Sequence, residues 1–421
     1  MPERGARLAV LQGNEMKNTA KTVLFLLPLL ALLAGVARPQ NPGWRALPGA
    51  PIASSRMDDL FFINPSVGWV LSNNYVEPSG WRGEIWKTTD GGATWGRQLI
   101  LNHYLRSVGF ADSQTGWVGT VFDPDSLLFQ TNDGGANWFL VQNIPQPRPL
   151  GICGISVVSD SVMYASGRYS GPARVIKTTD RGTNWTAMDL SAYAGALVDC
   201  HFFSPDSGFV VGSSSSDYDT GYVRILFTSN GGGSWTTRYS GVRSGELGWK
   251  IQFRTEATGY VSLEKFSPGA TYYLKTTDGG VTWSDRLFLD SLYDVQGIGF
   301  ADDSLGWLGG WGGDTYETTD GGASWHLAGF GNLVNRFRFF NDKLAYAAGE
   351  TVYKYWVPGD VNGDGNLTAA DAVLMLNCVF LGTGDCALVF TDVNCDGALS
   401  PADAVSELNL VFLNNPLPCA P

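Results

Sequence analysis

Asp360, Asn362, Asp364, Asn366, Thr368 and Asp371 stand at positions 1, 3, 5, 7, 9 and 12 of one twelve-residue segment, with Gly365 at position 6. Side-chain oxygens at 1, 3, 5, 9 and 12, a backbone carbonyl at 7 and a glycine at the sharp turn suit a hard, oxygen-seeking divalent cation. The spacing predicts a Ca²⁺ loop. A second copy begins 32 residues later: Asp392, Asn394, Asp396, Ala398 (through its carbonyl), Ser400 and Asp403, with Gly397 at the turn. Both copies end in Asp rather than Glu, which shortens the last ligand by one methylene. Two copies in register predict two bound Ca²⁺ ions. The alternative is a pair of degenerate loops that fold without metal.

Each loop needs a rigid neighbour to hold it, and in both copies a helix-forming segment comes directly after the loop. Residues 359–419 therefore read as a small all-α domain built by internal duplication. Its apolar stripes, Leu374, Val379, Phe380, Leu408, Val411 and Phe412, read as mostly core. Four of the six cysteines (Cys378, Cys386, Cys395, Cys419) fall in this stretch, as expected where disulfides staple a small exported domain. Cys153 and Cys200 lie about one repeat apart in the preceding region and could pair or stay free.

That preceding region is periodic. Thr-x-Asp-x-Gly-x-x-Trp starts at Thr88, Thr131, Thr178, Thr228, Thr276 and Thr318, with Asn230 in place of the acid in the fourth copy. A second signal, an apolar strand, a polar turn and a Gly-aromatic run, occurs seven times, around Trp69, Trp117, Tyr164, Phe209, Tyr260, Trp307 and Tyr346. Each repeat parses as four strands, A to D, with the box at the C–D turn. The seventh repeat ends after strand C at Trp356, and residues 43–50 resemble the missing strand D. Such a period predicts an all-β, seven-bladed propeller over 43–356, closed by its N-terminal strand. Six blades with a leftover strand pair is the alternative. The box residues Asp90, Asp133, Asp180, Asn230, Asp278 and Asp320 read as turn elements. Asn can cap a turn as Asp does, whereas a catalytic carboxylate would not usually tolerate that change.

The net charge of −12 and the lack of a basic run exclude a nucleic-acid partner. Lys17 and Lys21 precede an apolar run from Val23 to Ala37, so residues 1–37 read as an export signal, with Met16 a candidate start. A retained anchor is the alternative, although the run is short for a span. No other stretch could cross a bilayer. Binding is expected on the rim opposite the boxes, where the B–C loops vary most between repeats. Tyr75, Trp81, Tyr218, Tyr222, Phe266 and Trp311 are its expected exposed aromatics, and the D–A segments add Arg106, Arg148, Arg243 and Arg286.

The boxes and Gly-aromatic strands over 44–356 resemble the Asp-box (BNR-repeat) propellers, and among them the photosystem II assembly and stability factor family. The resemblance implies the fold; the same box also occurs in sialidases, xyloglucanases and sortilin-type receptors. The tail over 359–419 resembles type I dockerins, which implies Ca²⁺-dependent folding, docking to a cohesin and frequent linkage to polysaccharide-degrading enzymes. It departs from that family at loop positions 10 and 11 (Ala369-Ala370, Pro401-Ala402) and at helix position 18 (Asn377, Asn409). No catalytic set is evident, and an Arg-Ile-Pro motif expected of sialidases is absent. The sequence thus points to a secreted, non-catalytic propeller for a protein or glycan ligand, assembled through its calcium module. The alternative is a glycoside hydrolase of polysaccharide catabolism, sialidase-like or other, delivered through a dockerin–cohesin pair.

Overall fold

The computed structural model describes residues 43–47, 49–217, 219–311, 313–384, 386, 391–394, 396, 398–415 and 417. The leader assigned to 1–37 lies outside them. Seven four-stranded antiparallel sheets succeed one another along the chain, over 60–101, 105–140, 154–189, 196–240, 246–289, 295–332 and 336–356. The seventh is completed by strand Gly43–Ala46, which pairs Gly43 with Trp356 and Trp44 with Tyr355. The ring is seven-bladed, and the chain's first strand closes it. The A strands of adjacent blades lie against one another around the centre.

The Gly-aromatic signal has a packing cause. Gly68, Gly116, Gly208, Gly259 and Gly306 pair directly with Phe62, Phe110, Phe202, Phe253 and Phe300 on strand A. A Cβ on any of these glycines would stand inside the phenyl ring. The ring thus lies flat on the sheet and presents its other face to the preceding blade. There it meets that blade's Gly-aromatic residue: Phe110 stacks on Trp69 with centroids 3.5 Å apart, Phe202 on Tyr164 at 3.5 Å and Phe300 on Tyr260 at 3.9 Å. Burying one such side chain is worth roughly 1.5–3 kcal/mol, and an aromatic pair about 0.5–1.5 kcal/mol more. The junction between blades two and three differs, with Val157 at the Phe position and Met163 opposite it.

The boxes fold identically. Thr88 Oγ1 donates to Asp90 Oδ1, and the Thr94 amide donates to the same oxygen at 2.9 Å. In the variant copy Asn230 Oδ1 accepts from Thr228 Oγ1 and from the Ser234 amide, also at 2.9 Å. The amide bends each box past a glycine in the left-handed region, such as Gly92 (φ 94°) and Gly232 (φ 93°). Box amides also reach the A–B turn of their own blade, as in Gly91 to Ser66 O and Gly231 to Asp206 O. Boxes and A–B turns therefore share one rim, and the B–C loops form the other.

After Val357 the described residues include two long helices, α1 (Ala369–Leu381) and α2 (Pro401–Leu413). Thr368 and Ser400 are their N-caps, and Asp371 and Asp403 close a capping box on each. Met375, Ala404, Val361, Val393 and Leu417 make the small core. Cys378 bonds to Cys386, whereas Cys153 and Cys200 are free and buried in the propeller. The pairing of Cys395 and Cys419 lies outside the described residues. One expectation changes: Phe380 and Phe412 are not core but 62% exposed at matching positions of the two helices. One face of each helix carries the small core, and positions beyond it turn to solvent.

Candidate functional site

The centre of the ring is bridged by charge. Arg336 on blade seven donates through Nε to Asp59 Oδ1 at 2.8 Å and forks onto both oxygens of Asp199 on blade four, at 3.0 and 3.1 Å. Burial alone would push the Asp199 carboxyl up, but Arg336 and Lys250 outweigh it and hold the carboxyl below its usual range. Asp58 pairs with Arg106 at 2.5 Å and with Arg56 at 2.7 Å. This network separates two cavities. The one on the box side has a volume of about 300 Å³ and is lined by His201, Lys250, Arg254 and Arg338 among others. Burial and then Arg336 push the Lys250 amine down to about 7.

The cavity on the opposite rim, about 280 Å³, is a mouth walled by Trp81, Tyr104, Phe122, Tyr169, Trp249, Phe266 and Trp311. Most of these rings touch in series: Tyr75–Trp81, Trp81–Tyr104, Tyr104–Phe122, Phe122–Tyr169 and Tyr169–Trp249 have centroids 4.6 to 6.5 Å apart. The chain of rings crosses four blades. Polar groups converge at its floor. The Arg56 guanidinium lies 4.4 Å over the Trp311 ring and Arg106 lies 4.8 Å over Trp249. Glu264 takes a 2.7 Å bond from Gln296 on Oε1, while its Oε2 is buried without a partner among the described residues. Burial pushes this carboxyl up to about 7. Apolar walls with a few converging donors and acceptors are the usual make-up of a small-molecule or chain-binding pocket.

Of the rim residues expected from sequence, Trp81, Phe266, Trp311 and Arg106 line this mouth, and Tyr75, 54% exposed, extends it. Trp81 is half-buried rather than exposed, held edge-on between Tyr75 and Tyr104. Arg106 is not on a D–A loop but within strand Leu105–Phe110, fully buried by its pair with Asp58. Tyr222 is exposed but does not line the mouth, and Tyr218 lies outside the described residues. The other arginines are bound locally or set aside. Arg148 pairs with Asp125, Arg243 with Glu246 and Asp285, and Arg286 is exposed on strand Ser284–Leu289. They do not gather into an arginine triad. Sequence reading missed Arg56, Tyr104, Phe122, Tyr169, Trp249 and Glu264. Their shared signal is position: each stands near the B–C end of an inner strand or its loop.

The two C-terminal loops are built alike. Asp360 Oδ1 and Asn362 Oδ1 accept from the Asp364 amide at 3.0 and 2.8 Å, and Asp364 Oδ1 accepts from Asn366. Asp371 accepts from the Asn362 and Thr368 amides. In the second copy Asp392, Asn394 and Asp396 repeat the first three bonds, and Asp403 accepts from Asn394 and Ser400. The loops are thus curled with their oxygens in Ca²⁺-loop order, and Gly365 makes the turn at φ 83°. Among the described residues, no group of three or more His, Cys, Asp or Glu is drawn together as a ready metal cage. The donor set still fits a hard cation: oxygens only, three carboxylates per loop. Asp360, Asp371, Asp392 and Asp403 are at most 4% exposed. Burial and the neighbouring Asp371 push the Asp360 carboxyl up to about 6, against the pull of the Gly365 amide.

Residues 358–406 match the family model for the type I dockerin domain. The C-terminal module is a type I dockerin domain. Such domains typically bind calcium and are typically extracellular. This one lies against the box rim, where Lys354 Nζ donates to Gly363 O at 2.9 Å. The propeller has Ycf48-like homologues. The chain is 28% identical over 361 residues to the photosystem II assembly lipoprotein Ycf48 of Synechococcus sp. (strain CC9902), covering 80% of this chain and 96% of that protein. A structure of YCF48 bound to D1 peptide superposes with a TM-score of 0.53 at 17% identity, over 75% of this chain and 97% of that one. The GH74 xyloglucanase of Xanthomonas campestris superposes at 0.50 with 11% identity, over 65% of this chain and 47% of that one. At such identities these structures support the fold alone. Among the described residues no helix is long and apolar enough to cross a membrane.

Proposed function

We propose that this chain is exported by its leader and works outside the cell as a non-catalytic binding propeller. The dockerin domain, loaded with two Ca²⁺ ions, attaches it to a cohesin-like partner. The aromatic mouth takes a carbohydrate chain. The observation that carries this reading is the mouth itself: rings in series around a floor of Arg56, Arg106 and Glu264. Sugar rings offer apolar C–H faces to aromatic walls and hydroxyls to fixed donors and acceptors. The dockerin domain lies on the other rim, so the mouth stays open when the module is docked. In the module, Asp360, Asn362, Asp364, Thr368 and Asp371 would hold one ion and Asp392, Asn394, Asp396, Ser400 and Asp403 the other, with the Asn366 and Ala398 carbonyls at position 7. Bound calcium would supply positive charge against the buried carboxylates. Phe380 and Phe412, with Val373 and Val405, leave each helix an apolar face suited to a protein partner.

Affinity electrophoresis of the full-length protein in gels containing soluble polysaccharides tests the mouth. Retardation lost in Trp311→Ala supports the reading. Unretarded migration in every polysaccharide, with capture on a peptide array instead, makes the ligand a protein. A second reading rests on Glu264. A carboxyl held near 7 in a sugar-sized cavity is suited to general-acid work in a glycoside hydrolase. Release of reducing ends that stops in Glu264→Gln would make the chain an enzyme.

A further inference from the structure

Glu407 lies on α2, and its side chain is fully buried, with neither carboxyl oxygen partnered among the described residues. It packs on Gly359, immediately before the first loop, so closely that a Cβ there would overlap Oε2. Gly359 also sits at φ 87°, which a side chain would resist. The charged groups that bear on this carboxyl are Asp371 and Asp360, the last and first oxygen ligands of loop one. Duplication supplies an internal comparison. Glu407 is position 16 of the second copy; position 16 of the first is Met375, fully buried. Gly359 likewise corresponds to Thr391. At these matched positions the halves differ: Met375 and Thr391 stand where Glu407 and Gly359 stand in the other copy.

A buried carboxyl beside two buried carboxylates is costly without a cation. An apolar residue demonstrably fits the twin position. We propose that Glu407 is an acidic member of the first calcium site, reaching across from the second helix. Site one then carries four acidic groups (Asp360, Asp364, Asp371, Glu407) and site two carries three (Asp392, Asp396, Asp403). Affinity rises with ligand charge, so site one is the tighter. Its ion ties α2 to loop one and couples the two halves. This rests on the calcium reading above.

The test is calorimetric titration of Ca²⁺ into the full-length protein after EDTA dialysis. Asp396→Ala isolates loop one, and Asp364→Ala isolates loop two. In the first background, Glu407→Gln weakens binding at least tenfold; in the second it changes binding less than twofold. Melting gives an independent readout. Glu407→Met raises the module's melting temperature in EDTA and lowers it in saturating Ca²⁺, because the carboxyl is a burden only without the ion. Unchanged loop-one affinity, or melting shifts of the same sign in both conditions, overturns the proposal and leaves calcium binding standing. If the unsubstituted protein takes up no Ca²⁺, the calcium reading itself fails. Glu407→Gln is nearly isosteric, so its fold is expected to survive even where the Met variant's does not.

Discussion

Phe62, near the start of the first blade, stacks on Tyr346 of the last, with centroids 3.8 Å apart and planes 10° from parallel. It is the same contact that joins Phe110 to Trp69 and Phe300 to Tyr260. The ring is thus closed twice, by backbone pairing at Gly43–Ala46 and by the repeat's own aromatic rivet. Phe62→Ala is expected to lower the unfolding free energy by about 3–5 kcal/mol, the range for a buried Phe. Val157→Ala, at the junction without a rivet, should cost less. Urea unfolding of both variants checks the contrast, and equal losses would remove the rivet's special role.

Arg336 is a second closing element, because it joins Asp59 and Asp199 across the channel. Arg336→Met leaves two carboxylates buried without their cation, and a loss of about 3–5 kcal/mol is expected. The acid limb gives a further check. The Asp199 carboxyl is depressed in the fold, so its contribution is complete above the unfolded value and is lost as pH falls through the folded one. A melting curve for Arg336→Met should therefore show a shallower decline below about pH 4 than the parent, about the unfolded Asp value.

Glu264 works in the opposite sense. Burial holds its carboxyl near 7, above the unfolded value of about 4.3. The folded state then keeps a proton that the unfolded state has lost. Its contribution is present below the unfolded value and fades as pH rises to about 7. Glu264→Gln should flatten the fall in melting temperature between about pH 4.5 and 7. A wild-type profile already flat in that window would mean that Glu264 ionises normally.

The box is expected to answer only to shape. Asp278→Ala removes the acceptor for the Thr282 amide and hydroxyl and should lower the melting temperature modestly. Asn230→Asp should leave it almost unchanged, because both side chains accept from the same groups. Neither change should alter ligand retention, since the boxes lie on the far rim. Altered retention in either variant would place the boxes at a binding surface.

The blades were legible because their signals are periodic and local. Thr, Asp, Gly and Trp recur at a C–D turn, and a glycine recurs opposite a phenylalanine. Even the closing strand could be found, since Gly43-Trp44 repeats the start of a strand D. The dockerin module was legible for the same reason, being one short segment written twice. The mouth was only half legible. Trp81, Phe266 and Trp311 stand out in variable loops, but Arg56, Trp249 and Glu264 come from separate blades and meet only through ring closure. Arg106 was misplaced on a loop because its strand already begins at Leu105. Phe380 and Phe412 looked like core because periodicity marks an apolar face without saying whether anything covers it.

Removing calcium should separate the two domains' stabilities. The dockerin core is small, with Met375, Ala404, Val361, Val393 and Leu417 at its centre, and its loops bury Asp360, Asp371, Asp392 and Asp403. An ion bound only by the folded loops stabilises by about 4 kcal/mol at a thousand times its Kd. Without it those carboxylates repel one another, and so small a core cannot offset the repulsion. Among the described residues the seven blades hold no group of carboxylates drawn together for a metal. Scanning calorimetry should therefore show two transitions in Ca²⁺. With EDTA, only the smaller one should move down or vanish. The Lys354–Gly363 contact joins blade seven to loop one, so the larger transition should shift slightly at most. A propeller transition that collapses with chelation would mean that the two domains unfold as one cooperative unit.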